Sequence, residues 1–363
     1  MRWALQQIEG WQRAQKKLPT WSQTEGVLFP PHLSMEQCSS EQTARYKAEI
    51  AEGGEEMTDL TAGFGVDATM LGRRFDRLLC VEQNGELCEI VRNNLPLLGI
   101  KNCEVVCGKA EAVLRTLHRQ SLIFIDPARR DNNGGKVVSI VDCTPDVVAM
   151  QDDLMAHADT VMVKLSPMLD LKCVERELKQ VAEVHIVSVD NECKEVLVVL
   201  SHDASNISFH CVNLTKDGTR NVFTFTREDE TEARCDYADE MGTFIYEPNA
   251  SIMKAGCYKL VASRYALRKL NPNSHLYTSY GAEPVKGFPG RVFKVDGVSG
   301  FNKKDLRAML ANIEKANLAV RNFPMSVAEL RKKLKLREGG TDYLFATTMA
   351  DDSKVLIFSS SFS

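Results

Sequence analysis

The run Met57-Thr-Asp-Leu-Thr-Ala-Gly-Phe-Gly-Val-Asp67 concentrates groups able to hold a nucleotide-like ligand. Asp59 and Thr61 lead into Gly63 and Gly65, and glycines without a Cβ let a ligand come close to backbone N–H groups. A second acid, Glu82, ends the next apolar run, Arg77-Leu-Leu-Cys-Val-Glu82. A carboxylate in that place can accept both hydroxyls of a ribose. The blander reading of Glu82 is a solvated acid at a strand end.

Two ligand classes fit a turn of this kind. Ala68 stands where the third glycine of the dinucleotide fingerprint Gly-x-Gly-x-x-Gly would fall. An acid at the strand end would also repel a pyrophosphate. It suits a cofactor with a cationic end, and S-adenosylmethionine carries both an ammonium and a sulfonium. Methyl transfer therefore outweighs dinucleotide chemistry.

Further candidates follow along the chain. In Gly108-Lys-Ala-Glu111 the backbone at Lys109 and Ala110, or the Glu111 carboxylate, could meet an adenine; Glu111 equally reads as an acid in a helix's first turn. The run Ile123-Phe-Ile-Asp-Pro-Ala-Arg-Arg130 sets Asp126 and Pro127 at the carboxyl edge of a sheet, where doubly wound folds bind ligands. Arg129 and Arg130 could take a substrate phosphate or hold their loop by an ion pair, and Asn132-Asn-Gly-Gly135 after them reads as a mobile loop. Lys164, near the end of another strand, could bind phosphate, act as a base or pair with Asp126 or Asp170. Cys143 is the one thiol weighed as a nucleophile, since methylating a pyrimidine carbon needs a covalent adduct; no activating base lies near it in sequence. Transfer to nitrogen or oxygen needs only alignment and the loss of a proton.

These groups need a scaffold that brings strand ends together. Short apolar segments at 56–60, 77–82, 103–107, 122–126, 160–164, 184–189 and 195–200 alternate with helical patterns at 67–75, 85–98 and 110–118. That alternation argues an α/β fold, a doubly wound Rossmann-like sheet. The last two segments lie too close for a helical crossover and should form an antiparallel hairpin at one edge. The first fifty residues read as helical with a break at Phe29-Pro30-Pro31. After residue 200 the pattern changes to small α+β units: strands at 209–214 and 221–226, helices at 251–260 and 261–270, and a loop rich in glycine and proline at 281–290. Past 290 come helices at 303–315 and 326–334 and strands at 317–321, 343–348 and 354–358.

At 363 residues the chain exceeds one usual domain, and 44% hydrophobic with 26% charged residues is ordinary for a globular protein. A net charge of -4 gives no global pull toward nucleic acid. Eleven cysteines scattered singly, without a Cys-x-x-Cys pair, point to reduced thiols in the cytoplasm. No histidine cluster has metal spacing, so no metal site is expected. Trp3, Leu5, Ile8 and Trp11 between basic residues make an amphipathic helix rather than a signal peptide. No run approaches the length of a membrane span.

Taken in order, Asp59-Leu-Thr-Ala-Gly-Phe-Gly, Glu82 and Asp126-Pro-Ala-Arg-Arg resemble class I S-adenosylmethionine-dependent methyltransferases over residues 40–200. More narrowly, Leu28-Phe-Pro-Pro, Glu41-Gln-Thr-Ala-Arg-Tyr-Lys and Asn191-Glu-Cys-Lys-Glu resemble a bacterial methyltransferase family with a ferredoxin-like insert and a C-terminal THUMP-like domain. Tyr246-Glu-Pro-Asn-Ala-Ser-Ile-Met-Lys-Ala-Gly256 resembles the insert, and Ala319-Val-Arg-Asn-Phe-Pro-Met-Ser-Val-Ala-Glu-Leu-Arg-Lys-Lys-Leu the THUMP-like part. The resemblance implies a helical segment at 1–50, a methyltransferase domain at 51–200, a ferredoxin-like α+β domain at 201–290 and a THUMP-like domain at 291–363. It places Asp59, Gly63, Gly65 and Glu82 around S-adenosylmethionine and Asp126-Pro127 beside the acceptor, with Thr61, Ala110 and Glu111 as further candidate cofactor contacts. Lys109 departs from the acid usual near adenine, and Asp-Pro-Ala-Arg departs from the Asp-Pro-Pro-Tyr of amino-nitrogen methylases. THUMP modules bind RNA, so the resemblance implies RNA as partner, plausibly tRNA or rRNA. The basic run Arg331-Lys-Lys-Leu-Lys-Leu-Arg337, with Arg331 and Lys332 foremost, could supply phosphate contacts or be a solvated helix face. A non-catalytic RNA-binding protein with a vestigial pocket and a small-molecule methyltransferase are the alternatives.

Overall fold

The computed structural model describes residues 2–129, 139–311 and 313–362, with the side chains of Arg2 and Arg129 excepted. It divides into two units, Met1–Arg220 and Asn221–Ser363.

Four helices open the first unit: α1 (Arg2–Lys17), α2 (Pro19–Gln23), α3 (His32–Gln37) and α4 (Glu41–Ile50). Ser40 caps α4 by accepting from the Thr43 N–H, as a short side-chain oxygen does for the orphan donors of a first turn. The sheet follows: β1 (Gly54–Asp59), α5 (Val66–Leu71), β2 (Phe75–Glu82), α6 (Gly85–Leu97), β3 (Cys103–Cys107), α7 (Ala110–Leu114) and β4 (Gln120–Ile125). Then come α8 (Val147–Ala156), β5 (Ala158–Leu165), α9 (Leu171–Glu177), β6 (Val181–Val189), β7 (Glu192–Ser201) and β8 (Ser208–Leu214). The sheet has nine strands: Arg220–Phe225, close to the strand expected at 221–226, lies at one edge beside β8, and the order runs on as β8-β6-β7-β5-β4-β1-β2-β3. Neighbours from β3 to β5 are parallel, while β7 runs antiparallel between β5 and β6.

Helices on both faces explain why the central strands are unbroken apolar runs. Ile123, Phe124, Ile125, Val161, Met162 and Val163 are at most 1% exposed. A second cluster lies under the N-terminal helices, where Trp21, Phe29 and Met35 pack with Phe64, Val66 and Met70. The N-terminal segment thereby covers the glycine turn.

The hairpin expected at a sheet edge is β6–β7, antiparallel as its short link requires, but it does not form the edge. β8 runs parallel beside β6, from Ser208 opposite Glu183 to Leu214 opposite Val189. Phe209, Cys211 and Val212 are buried there, and their apolar character matches the sheet core better than the later unit to which composition assigned them.

The second unit holds α10 (Arg227–Glu232), β9 (Phe244–Pro248), α11 (Ala250–Ala255), α12 (Tyr258–Arg264), β10 (Arg268–Lys269) and β11 (Tyr277–Ser279). The long β12 (Gly290–Gly300) is followed by α13 (Lys303–Met309), β13 (Asn317–Arg321), α14 (Val327–Leu334), β14 (Asp342–Thr348) and β15 (Lys354–Ser361). Their sheet has the order β10-β11-β9-β12-β15-β14-β13. β12 pairs with β9 on one side and β15 on the other, so residues before and after position 290 build one sheet. The helix expected over 261–270 stops at Arg264, and Ala266 turns the chain with a φ of 50° into β10. No helix among the described residues is long and apolar enough to cross a membrane.

Candidate functional site

The glycine turn between β1 and α5 is held from three strands. Leu60 N–H donates to Phe124 O of β4 at 3.0 Å, and Ala62 N–H to Val81 O of β2 at 2.9 Å. Gly63 and Gly65 sit at φ of 54° and 79°, the left-handed region that a Cβ disfavours. A Cβ on Gly65 would also touch Val91 at 3.4 Å, whereas at Gly63 the nearest atom is 3.8 Å away. The need at Gly63 is one of backbone conformation.

Two acids lock this turn. Asp59 Oδ1 accepts from Thr61 N at 2.9 Å, and Glu82 Oε2 accepts from Gly63 N at 2.9 Å. The other Glu82 oxygen accepts from Asn84 N at 2.8 Å. Each carboxylate oxygen has two lone pairs, so Glu82 keeps acceptor capacity for a ligand while fixing the loop. Asp59 is 1% exposed. Burial pushes its carboxyl well above the ordinary range; the Thr61 N–H opposes this, and the charges of Asp67, Asp126 and Glu82 add to it. Four carboxyl groups thus converge on the carboxyl edge of β1, β2 and β4.

The same turn reaches the Asp-Pro corner. Thr61 Oγ1 accepts from Asp126 N at 2.7 Å, so a residue of the glycine turn also sets the backbone of Asp126. Lys164, from β5, donates to Asp126 Oδ2 at 2.5 Å and lies 4.0 Å from Asp67. Burial opposes a charge on Lys164, yet Asp126, Asp67 and Glu195 together raise its pKa above the ordinary lysine value. The neighbouring acids thus favour its ammonium form. The pairing with Asp126 foreseen as one of its options is the one formed; Asp170 instead caps α9, accepting from Lys172 N.

Beneath the corner lies a buried ionic row that the motifs did not reveal. Lys47 of α4 is fully buried and stands 3.0 Å from Asp67 and 2.7 Å from Glu195. Ser39 donates to Asp67 at 2.7 Å and accepts from Lys47 at 3.1 Å. Burial disfavours both acids, but Lys47, Lys164 and the Ser39 hydroxyl hold Asp67 below the ordinary carboxylate range. Burial dominates at Glu195, whose carboxyl is raised. The signal was present: Lys47 and Glu195 end two of the segments that carried the narrower resemblance. What sequence lacks is the strand pairing that makes them neighbours.

The remaining expected residues fall in different places. Ala110 is buried and Glu111 half-buried in the first turn of α7. Cys143 is buried, its backbone laddered to Arg129 across from the Asp-Pro corner. Arg130 and the 132–135 loop lie outside the described residues, as does the Arg129 side chain. In the second unit Arg331 donates to Ala316 O at 3.2 Å, which gives it a part in holding α14. Lys332 is exposed, while Leu336 within the basic run and Leu330 just before it are buried.

Comparison with known proteins places this geometry. A THUMP domain-like family model matches residues 290–360, and a ferredoxin-like domain model matches residues 244–289. A solved structure described as "putative methyltransferase from Porphyromonas gingivalis W83" superposes with a TM-score of 0.91, at 36% identity, covering 99% of this chain and 90% of that one. Two relatives from Mycobacterium tuberculosis, one from strain CDC 1551 and one from H37Rv, are each 24% identical over 311 residues, 84% of this chain and 80% of theirs. Both are named as an uncharacterized S-adenosylmethionine-dependent methyltransferase.

Proposed function

Because this chain belongs to the class I S-adenosylmethionine-dependent methyltransferases that carry ferredoxin-like and THUMP-like domains, we infer that it methylates a base of RNA, tRNA or rRNA. S-adenosylmethionine is the methyl donor. The residues at the turn fit such a donor: a buried acid beside an open left-handed turn, with three more carboxylates near it, offers a cation more than it offers a phosphate. The bound donor supplies an activated methyl group.

The chain's own contribution is alignment. Asp59, Thr61, Gly63 and Gly65 would hold the amino-acid end, Glu82 the ribose through its remaining lone pairs, and Ala110 and Glu111 the adenine. The observation that carries the reading is the Thr61–Asp126 hydrogen bond, which couples the donor turn to the acceptor side. Lys164 engages one oxygen of Asp126, leaving Oδ1 to accept an N–H or O–H of the acceptor and draw its proton. Pro127, buried, fixes the chain beyond it.

RNA is supported by the THUMP-like match and by the exposed basic face of α14. Arg129, Arg130, Arg331 and Lys332 are the phosphate contacts this reading assigns. The test is transfer of labelled methyl groups to total RNA, followed by mass spectrometry of nucleosides. A modified base absent without the enzyme is expected; transfer only to protein or to small metabolites would sink the RNA assignment.

A further inference from the structure

β6 and β8 bring three ligand-type side chains to one spot away from the methyl-transfer corner. His185 pairs opposite His210, and Glu183 precedes His185 by one pleat. Directly paired residues on neighbouring strands share a face, as do residues two apart on one strand. The two imidazoles stack with centroids 4.5 Å apart and planes 11° from parallel. Glu183 Oε2 lies 2.8 Å from His185 Nε2 and 3.8 Å from His210 Nε2. One donor atom from each residue falls within 4.8 Å of the other two. Ligand atoms bound at ordinary zinc distances stand roughly 3–3.5 Å from one another, so closing this set around an ion requires the two rings to turn out of their stack until both Nε2 lone pairs converge.

The surroundings match what a metal site needs. On the far side of the ring, Tyr46 Oη is 2.8 Å from His185 Nδ1, an outer partner of the kind that orients a ligating imidazole. Glu183 keeps 44% of its side chain exposed while His185 keeps 3%, which gives an ion a way in and leaves room for water as a further ligand. Two imidazoles with one carboxylate select a borderline transition cation over calcium or magnesium.

We propose that Glu183, His185 and His210 bind a divalent cation of the zinc type. On binding, the proton of His185 moves from Nε2 to Nδ1, where it is donated to Tyr46. Pairing of Leu197 with both Lys164 and His185 puts Lys164 and His185 in one row, two strands apart, roughly 10 Å. The ion would therefore not touch the acceptor corner. It would pin β8 and, through Tyr46, α4, the helix that also carries Lys47. Local ligand spacing could not disclose the site, because it forms only when distant strands pair.

Metal-stripped full-length protein titrated with zinc chloride by calorimetry, and with cobalt chloride followed by visible absorption, tests the proposal. Wild type is expected to bind one equivalent that Glu183→Gln and His210→Ala each weaken at least tenfold, and Tyr46→Phe about tenfold. Cobalt at this site gives d–d bands without a thiolate charge-transfer band, which separates it from binding by the cysteines. Zinc should raise the melting temperature of wild type and not of Glu183→Gln, a near-isosteric change that leaves the fold in place. Equal affinity in wild type and Glu183→Gln, or cobalt spectra carrying only the thiolate band, would overturn it.

Discussion

Asp59 shows a conflict between stability and binding at a single side chain. Its carboxyl is buried beside three other acids, and its raised pKa means that the folded state resists the charge. For an acid whose folded pKa lies above the unfolded one, the native state holds more protons, so stability grows as pH falls through that raised value. Asp59→Asn keeps the acceptor for Thr61 N and removes the charge. The variant should melt higher than wild type at pH 7, with the gap closing as pH is lowered, while its S-adenosylmethionine affinity in calorimetry drops at least tenfold. A melting temperature below wild type at pH 7 would show that the charge is not the cost. Asp126 has the opposite character: half-exposed, with one oxygen on Lys164. Replacing it by Asn removes the proposed proton acceptor with little change in shape. The expected result is a fall in kcat of about 100-fold or more, with donor affinity within about twofold of wild type.

Elements, not residues, decide where these groups meet. The alternation of apolar runs and helical patterns made the parallel core legible, because strands covered on both faces must be apolar throughout. The glycine turn was legible as well, since a left-handed backbone at Gly63 and Gly65 leaves a mark in residue type. The place of β8 was not, because a change in overall composition after residue 200 outweighed a six-residue apolar pattern. Nor was the role of α4: Lys47 in an amphipathic helix reads as a solvated charge until the helix is laid on the sheet beside Glu195. That burial has a measurable consequence. Removing one partner from a buried ionic set leaves uncompensated charges, a loss of about 3–5 kcal/mol. Lys47→Met strands Asp67 and Glu195, and chemical denaturation should record a loss of that size. Thr61→Val tests the coupling between turn and corner: losing an acceptor for the Asp126 N–H should cost about 1–3 kcal/mol of stability and lower kcat more than it weakens donor binding.

The whole molecule joins an acidic donor site to a second unit whose sheet presents a basic helix. With a net charge of -4, the RNA affinity proposed for this chain would have to come from local clusters rather than from the overall field. α14 is suited to that task. Its Ser326–Glu329 capping box fixes the first turn, and Leu330 anchors the inner face, so the basic residues are displayed from a rigid element. They are not equivalent. Arg331 is tied to Ala316 O, so reversing its charge would disturb the fold as well as the surface, whereas Arg337 is already paired with the exposed Glu314, a contact that contributes little to stability. Lys332 and Lys333 are exposed, with Lys333 stacked 4.5 Å from the Phe301 ring centroid. Reversing both, as Lys332→Glu with Lys333→Glu, should leave the melting temperature and S-adenosylmethionine affinity near wild type. RNA binding measured over a salt series should then weaken at every concentration, with a salt slope shallower by about two, one per lost phosphate contact. A double variant that binds RNA with the wild-type slope would move the RNA surface away from α14.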